Sequence, residues 1–356
     1  ISGLAEFHPE LKLLKKSLNL KSINSATVQN LAFHIGLVEL ISYWKPTCSP
    51  RVIIHCGELN EDQINWWKKL YYYGIKTLPE TFMQIYSVNT FFSDNPQGNA
   101  DAEAYSGCMV TIGGGKDSIV TLETLDVDQT RDYCFIMNPK PVTRECAALA
   151  GGADDHVIEL YRKIDPELIA LNAKGFLNGH IPFSAVLAFV TYFVAYLAGL
   201  ESIVVSNESS ANESNLVCSD DPELACAKIN HQYSKSFEFE QDFTRYAEKY
   251  FHLPVKYFSF LRPLNELQIA KIFARLSKYH PVFKSCNVGS KGPEWVWCGH
   301  CSKCLFAFTI LSPYLYPDRL IEIFHKDLFA DEALLQTFVE LTGHGDNKPF
   351  DCVGTF

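Results

Sequence analysis

Cys108-Met109-Val110-Thr111-Ile112-Gly113-Gly114-Gly115-Lys116-Asp117-Ser118 reads as a buried strand running into a glycine loop. The apolar run suits a strand covered on both faces. Three glycines let the backbone approach an anion closely. The helix predicted over residues 118–125 would then present free N–H groups and its positive dipole end. Lys116 adds a charge for phosphate, and Asp117 and Ser118 can hold a metal ion directly or through water. A Walker A loop requires Gly-Lys followed at once by Ser or Thr, and here Asp117 intervenes. A dinucleotide fingerprint of spaced glycines is also absent. The alternative, a tight turn without a ligand, is disfavoured by the Lys-Asp-Ser ending.

Outward from the loop, strands and helices alternate. Tyr133-Cys134-Phe135-Ile136-Met137 is the next strand, and residues 143–150 a helix ended by Gly151-Gly152. His156-Val157-Ile158-Glu159-Leu160, Ile203-Val204-Val205 and Val255-Lys256-Tyr257-Phe258 supply three more strands. This order implies an α/β fold with a parallel sheet covered on both faces. Ligands of such sheets bind at the carboxyl ends of the strands, where the glycine loop lies. Upstream, Val28, Leu31, Ile35 and Val38 share a helical face within residues 26–44. Arg51-Val52-Ile53-Ile54-His55 reads as a strand, and Asn60 as the cap of a helix closed by Gly74. The polar residues 93–102 are the best linker candidate. The expected organisation is an α/β amino-terminal domain over residues 1–100, a nucleotide-binding parallel-sheet domain over 101–262, and a mostly helical region over 263–356 that holds a cysteine knuckle.

A chain of 356 residues suits about two domains, and 47% hydrophobic with 20% charged residues is ordinary globular composition. The formal charge of −10 and sequence pI of about 5.6 disfavour general nucleic-acid binding. The opening residues are polar and lack a cationic-then-apolar pattern, so no signal peptide is expected. With no initiator Met, residues before Ile1 are expected to be missing. Twelve cysteines without a secretion signal point to reduced thiols and the cytoplasm. Residues 181–200 carry no charge and meet the length test for a membrane span. Thr191, Tyr192 and Tyr196, the terminal Gly199 and the strand that follows favour a buried helix instead, so no membrane span is expected.

Cys298-Gly299-His300-Cys301-Ser302-Lys303-Cys304 packs three thiols two residues apart, with Cys286 upstream as a fourth. Four thiolates suit a tetrahedral structural Zn2+. An iron–sulfur cluster has overlapping spacing rules, unliganded thiols are the third reading, and His300 could replace one cysteine. Elsewhere, Ser206-Asn207-Glu208 and Arg262-Pro263-Leu264-Asn265-Glu266 follow predicted strands, on the loop's side of the sheet. Asn230-His231-Gln232-Tyr233-Ser234-Lys235-Ser236 mixes acid–base and hydrogen-bonding groups, and His231 and Lys235 would share a face if that stretch were helical. Asn265 and Ser236 also suit helix caps, and Glu208 a surface charge.

The glycine loop resembles the Ser-Gly-Gly-x-Asp-Ser loop of the PP-loop ATP pyrophosphatases, with Gly113 in place of the serine. That resemblance implies cleavage of ATP between the α- and β-phosphates, with AMP transferred to a substrate oxygen. The cysteine arrangement is similar to the structural zinc site of 7-cyano-7-deazaguanine synthase, another PP-loop enzyme. A wider set resembles the UDP-N-acetylmuramoyl-L-alanyl-L-glutamate epimerases: residues 34–45, Gln63-Ile64-Asn65-Trp66-Trp67-Lys68-Lys69-Leu70, the glycine loop, Ser206-Asn207-Glu208, residues 230–236, the knuckle and Lys348-Pro349-Phe350. It covers nearly the whole chain, although Gly74-Ile75-Lys76-Thr77 departs from the Gly-Leu-Gly-Glu of the family pattern.

The resemblance implies ATP- and Mg2+-dependent inversion of the terminal glutamate of a UDP-linked muramoyl dipeptide, a small-molecule substrate, through a carboxyl-adenylate. Gly113, Gly114, Gly115, Lys116 and Ser118 are then expected to hold the phosphates and Asp117 the Mg2+. Arg262 would neutralise leaving pyrophosphate. His231, Tyr233, Lys235 and Glu208 are the acid–base candidates, and Cys286, Cys298, Cys301 and Cys304 the Zn2+ ligands. Two other classes remain open: another PP-loop adenylating ligase forming a nitrile, amide or thio product, and a non-catalytic nucleotide-binding protein.

Overall fold

The computed structural model describes residues 1, 3–14, 18, 23–75, 84–87, 105–128, 130–152, 154–178, 181–213, 216–217, 228–229, 232–292, 295–345, 349 and 353–354. In chain order the elements are β1 (Glu10–Leu13), α1 (Ser25–Trp44), β2 (Arg51–Ile54), α2 (Glu61–Ile75), β3 (Gln84–Ser87), β4 (Cys108–Thr111) and α3 (Lys116–Leu125). There follow β5 (Tyr133–Met137), α4 (Pro141–Leu149), β6 (Val157–Lys163), α5 (Pro166–Ala173), α6 (Phe183–Ala198), β7 (Ser202–Val205), β8 (Leu216–Val217) and β9 (Lys228–Ile229). The chain continues through α7 (Phe237–Tyr250), β10 (Lys256–Ser259), α8 (Glu266–Phe273), α9 (Ser302–Leu311), α10 (Pro317–Phe324) and α11 (Leu335–Leu341).

The central sheet has the order β1-β6-β5-β4-β7-β10. Its four inner pairings are parallel, as the alternating elements predict, and β1 adds to the β6 edge in antiparallel sense. Successive strand residues point to opposite faces. Met109, Phe135 and Ile203 therefore enter one apolar core with α1, α2, α6 and α7, while Val110, Ile136 and Val204 enter a second core with α3, α8, α9 and α10. Coverage of both faces explains why these strands are nearly uninterrupted apolar runs. From β4 the chain builds outward through β5 and β6, then α6 carries it back to β7 on the other side of β4. That reversal opens a crevice between the carboxyl ends of β4 and β7, the topological switch point at which such sheets bind ligands.

Helix α6 is the uncharged segment. It spans 16 residues, buries most of them, and ends on Gly199 at φ 66°, the left-handed cap its sequence predicts. Among the described residues no helix is long and apolar enough to cross a membrane. Asn60 and Gln63 exchange backbone and side-chain hydrogen bonds of 2.9 and 3.1 Å at the start of α2, a capping box. That helix runs to Ile75 rather than stopping at Gly74, because a glycine can continue an α-helix at modest cost. Residues 93–102, the linker candidate, lie outside the described residues.

Helix α1 is fixed to the sheet by a buried ion pair. Arg162 Nε on β6 donates to both Glu39 carboxylate oxygens at 2.9 Å, and its Nη2 donates to Ser42 Oγ at 3.0 Å. Further along α1, His34 is buried against Tyr246, whose hydroxyl also accepts from Trp67 Nε1 at 3.0 Å and Gln63 Nε2 at 3.1 Å.

Candidate active site

A cleft of about 420 Å3 lies at the β4/β7 switch point. Its floor is made by strand ends: Thr111 and Ile112 at the end of β4, Met137 at the end of β5, Val205 to Asn207 at the end of β7, and Tyr257 on β10. Gly113, Gly115, Asp117 and Ser118 of the glycine loop form one wall. A volume of this order suits a small-molecule ligand.

The loop takes its shape from its neighbours. Gly114 sits at φ 78°, where a Cβ would lie 3.1 Å from Val142 and 3.3 Å from Thr143 at the start of α4. Its carbonyl accepts the Lys284 N–H at 2.9 Å. Gly115 is the extended N-cap of α3, and no side chain caps this helix end. The first-turn N–H groups therefore remain available for an anion. Ser118 is buried, with its hydroxyl donating to the Gly115 carbonyl at 3.1 Å.

Lys116 turns away from solvent. Its Nζ donates at 2.5 Å to both Asp117 Oδ1 and Glu266 Oε2, and the two carboxylates hold the ammonium well above the usual lysine range against the cost of burial. Burial pushes Glu266 up to about 7; Lys116 opposes this, while Asp117 and Glu208 add to it. The cluster thus places three carboxylates around one ammonium. Glu208 is buried, accepts the Ser210 hydroxyl at 2.6 Å, and immediately precedes the 3-10 turn Ser209–Asn212.

The remaining predicted groups are placed differently. Lys235 lines the cleft, at the end of the 3-10 turn Tyr233–Lys235. Tyr233 contributes nothing to the cleft wall: its hydroxyl donates to Asp242 at 3.0 Å and its ring stacks on Tyr73 with centroids 4.7 Å apart. Arg262 bridges loops. It donates to the carbonyls of Glu208 and Lys235 at 3.0 and 2.7 Å and to Glu240 at 2.9 Å. Its Nε is buried without a partner. His231 lies outside the described residues. Ser236 and Asn265 do cap α7 and α8, accepting from the N–H groups of Phe239 and Gln268.

The four cysteines converge. Their sulfurs all lie within 4.8 Å of one another, with Cys286–Cys301, Cys298–Cys304 and Cys301–Cys304 at 3.8, 3.7 and 3.5 Å. A tetrahedron with metal–sulfur bonds of about 2.3 Å has edges of about 3.8 Å, so one metal ion fits among them. Two glycines permit the turns: Gly299 has φ 72°, and a Cβ at Gly289 would meet the Val296 carbonyl at 1.9 Å. His300 is exposed and its Nδ1 is 2.9 Å from the Cys298 carbonyl, outside the sulfur group.

This centre abuts the glycine loop. Ser285, Asn287, Trp295 and Lys303 complete the cleft wall, and Trp295 Nε1 donates to the Cys286 carbonyl at 2.9 Å. None of these four, nor Glu266, takes a role from the sequence motifs, although Lys303 lies within the knuckle and Glu266 closes the segment that begins at Arg262. Their signal was adjacency: each of Ser285, Asn287 and Lys303 is next to a cysteine, and Glu266 opens the helix after β10.

Comparison with known proteins matches residues 2–260 to the MurL N-terminal domain and residues 282–356 to the MurL C-terminal domain. The chain is 32% identical over 342 residues to a protein of Xanthomonas oryzae pv. oryzae named UDP-N-acetyl-alpha-D-muramoyl-L-alanyl-L-glutamate epimerase, covering 93% of this chain and 73% of that relative. Proteins of the same name from Salinispora tropica and a Micromonospora species are 42% and 39% identical over 248 residues, or 69% of this chain. The chain spans only about half of each of these two, 52% and 54% of their lengths.

Proposed function

From the premise that the chain belongs to the MurL family, whose named relatives are epimerases and hence isomerases, we propose that it inverts the terminal L-glutamate of UDP-N-acetylmuramoyl-L-alanyl-L-glutamate in peptidoglycan precursor synthesis. ATP activates the substrate. The carboxylate beside the α-carbon attacks the α-phosphorus of ATP, the bond to the β-phosphate oxygen breaks, and pyrophosphate leaves. The resulting acyl-adenylate has lost the carboxylate charge. Removal of the α-proton then forms a single delocalised anion rather than a second charge beside the first. A proton returns to the opposite face, and water cleaves the acyl–oxygen bond to restore the acid and release AMP.

The observation that carries this reading is a glycine loop opening at the switch point of a parallel sheet, with Asp117 and Lys235 facing the same cleft. Gly113, Gly114, Gly115 and Ser118, with the backbone N–H of Lys116, cradle the phosphates. Asp117 presents a partly exposed carboxylate suited to Mg2+, which when bound offsets phosphate charge. Lys235, on the cleft wall, is the first candidate for proton transfer, and Glu208 and His231 are the next candidates. Arg262 and Tyr233 act as positioning groups, holding the loops that carry Glu208 and Lys235. The sulfur tetrahedron suits Zn2+ in a structural role, since four thiolates leave no open position for substrate. Such a nucleotide-linked substrate is cytoplasmic, and we place the enzyme there.

The test is one incubation with Mg2+, ATP and the UDP-linked L-alanyl-L-glutamate substrate, following AMP and glutamate chirality. AMP together with D-glutamate is expected, and Asp117→Ala should lower both at least about 100-fold. AMP without inversion would replace the epimerase by an adenylating ligase. ATP binding with neither product would leave a nucleotide-binding protein.

A further inference from the structure

The glycine loop's own lysine is poorly placed to supply positive charge to a polyphosphate. Lys116 is buried and engaged by two carboxylates at 2.5 Å, with Glu208 contributing a third negative charge nearby. An ATP polyphosphate carries several negative charges, and the whole chain has a formal charge of −10. Binding it therefore needs a cation facing the cleft. Among the described residues two lysines line the cleft: Lys235, whose backbone carbonyl is tied to Arg262 and which the proton-transfer reading uses, and Lys303.

Lys303 belongs to the cysteine knuckle. It sits beside the fully buried Cys304, in the first turn of α9, and its side chain makes no hydrogen bond or ion pair among the described residues. Residues upstream of it in the same cysteine centre pack against the glycine loop. The Lys284 N–H reaches the Gly114 carbonyl, Ser285 packs 3.5 Å from where a Gly115 Cβ would lie, and Trp295 links Gly114 to the Cys286 carbonyl. The sulfur cluster thus ties the turn that carries Lys303 to residues packed on the glycine loop, and Ser285, Asn287 and Lys303 line the same cleft.

We propose that Lys303 is the polyphosphate-binding cation of this site, presented to the nucleotide by the cysteine centre that abuts the glycine loop. The proposal rests on the ATP-dependent reading above and deepens it: the metal-binding knuckle forms part of the nucleotide site. It separates two roles in the loop, with Lys116 holding Asp117 and Glu266 in place while Lys303 meets the ligand's charge.

Calorimetric titration of the metal-loaded protein with inorganic pyrophosphate, and separately with Mg-ATP, tests this. Lys303→Gln should weaken pyrophosphate binding about ten- to hundredfold, the range for loss of one charged hydrogen-bonding partner. Lys303→Arg should recover most of that loss. Elemental analysis and near-ultraviolet circular dichroism should be the same in all variants. Lys303→Met, length-matched and apolar, is the second neutral variant should Lys303→Gln lose metal. Unchanged pyrophosphate and ATP affinity in a neutral variant that keeps its metal would overturn the role of Lys303 and leave the adenylation reading intact. A parent protein that binds neither ligand would overturn both.

Discussion

His34 is a histidine that folding keeps neutral. Its Nε2 is 2.9 Å from the Tyr246 hydroxyl and its Nδ1 is 2.7 Å from the Asn30 carbonyl, in a shell of Phe189, Phe251 and Trp67. Burial lowers its pKa from 6.5 to about 4, with the Asn30 carbonyl opposing the shift. The unfolded chain therefore binds a proton that the folded chain refuses between those values, so stability falls as pH drops from about 6.5 to about 4. The full shift corresponds to about 3 kcal/mol. Urea unfolding of the parent and His34→Phe across pH 4 to 8 checks this: the parent should lose stability through that window, and the variant should lack that share of the slope. Parallel pH profiles would refute the assignment. The same residue scale explains what motif reading left out. Tyr233 looks like an acid–base group in sequence, but its hydroxyl is taken by Asp242, and no local pattern announces a partner nine positions on. Lys303 stands among cysteines that draw attention to themselves, so its place on the cleft wall emerges only when the knuckle folds onto the glycine loop.

At the scale of elements, the parallel core was legible because each strand is a short apolar run closed by a polar or glycine-rich turn, and because Gly199 marks the end of α6. The switch point follows from where the glycine loop and Ser206-Asn207-Glu208 stand in that order. Strand β1 was not legible: Glu10-Leu11-Lys12-Leu13 is a four-residue alternation, and what makes it a strand is the exposed edge of β6. Its neighbour α1 shows how tertiary contacts specify docking. The Glu39–Arg162 pair is almost fully buried, with side chains 5% and 4% exposed, so deleting one partner strands the other charge in an apolar setting. Glu39→Ala should lower the free energy of unfolding by about 3–5 kcal/mol. The double variant Glu39→Ala/Arg162→Met should lose less than the single one. Chemical denaturation of the three proteins checks this, and a double variant worse than the single would sink the argument.

The molecule is built around one mainly parallel six-stranded sheet with a core on each side, and the two faces answer to different constraints. The face covered by α1, α2, α6 and α7 is packed with aromatic rings, among them Trp67, Phe189, Phe243 and Tyr246, and contains none of the four clustered cysteines. The opposite face includes Cys286, Cys304, Phe283 and Trp297 in the same core as Val110 and Ile119, which flank the glycine loop. Metal binding among the sulfurs should therefore be coupled to the order of the cleft beside the glycine loop. Without an ion, thiols held 3.5–3.8 Å apart lack the bonds that justify their convergence, and ligand-to-metal binding energy is folding energy in such centres. Stripping the protein with a thiol-compatible chelator should release about one zinc per chain. The thermal midpoint should fall by at least about 5 °C. Near-ultraviolet dichroism from Trp295 and Trp297 should weaken, and pyrophosphate affinity should fall with it. The aromatic core on the other face should survive, so far-ultraviolet dichroism should change little at room temperature. A metal-free protein, verified by elemental analysis, that kept both its midpoint and its pyrophosphate affinity would show that the knuckle folds without an ion and that the cleft wall does not depend on it.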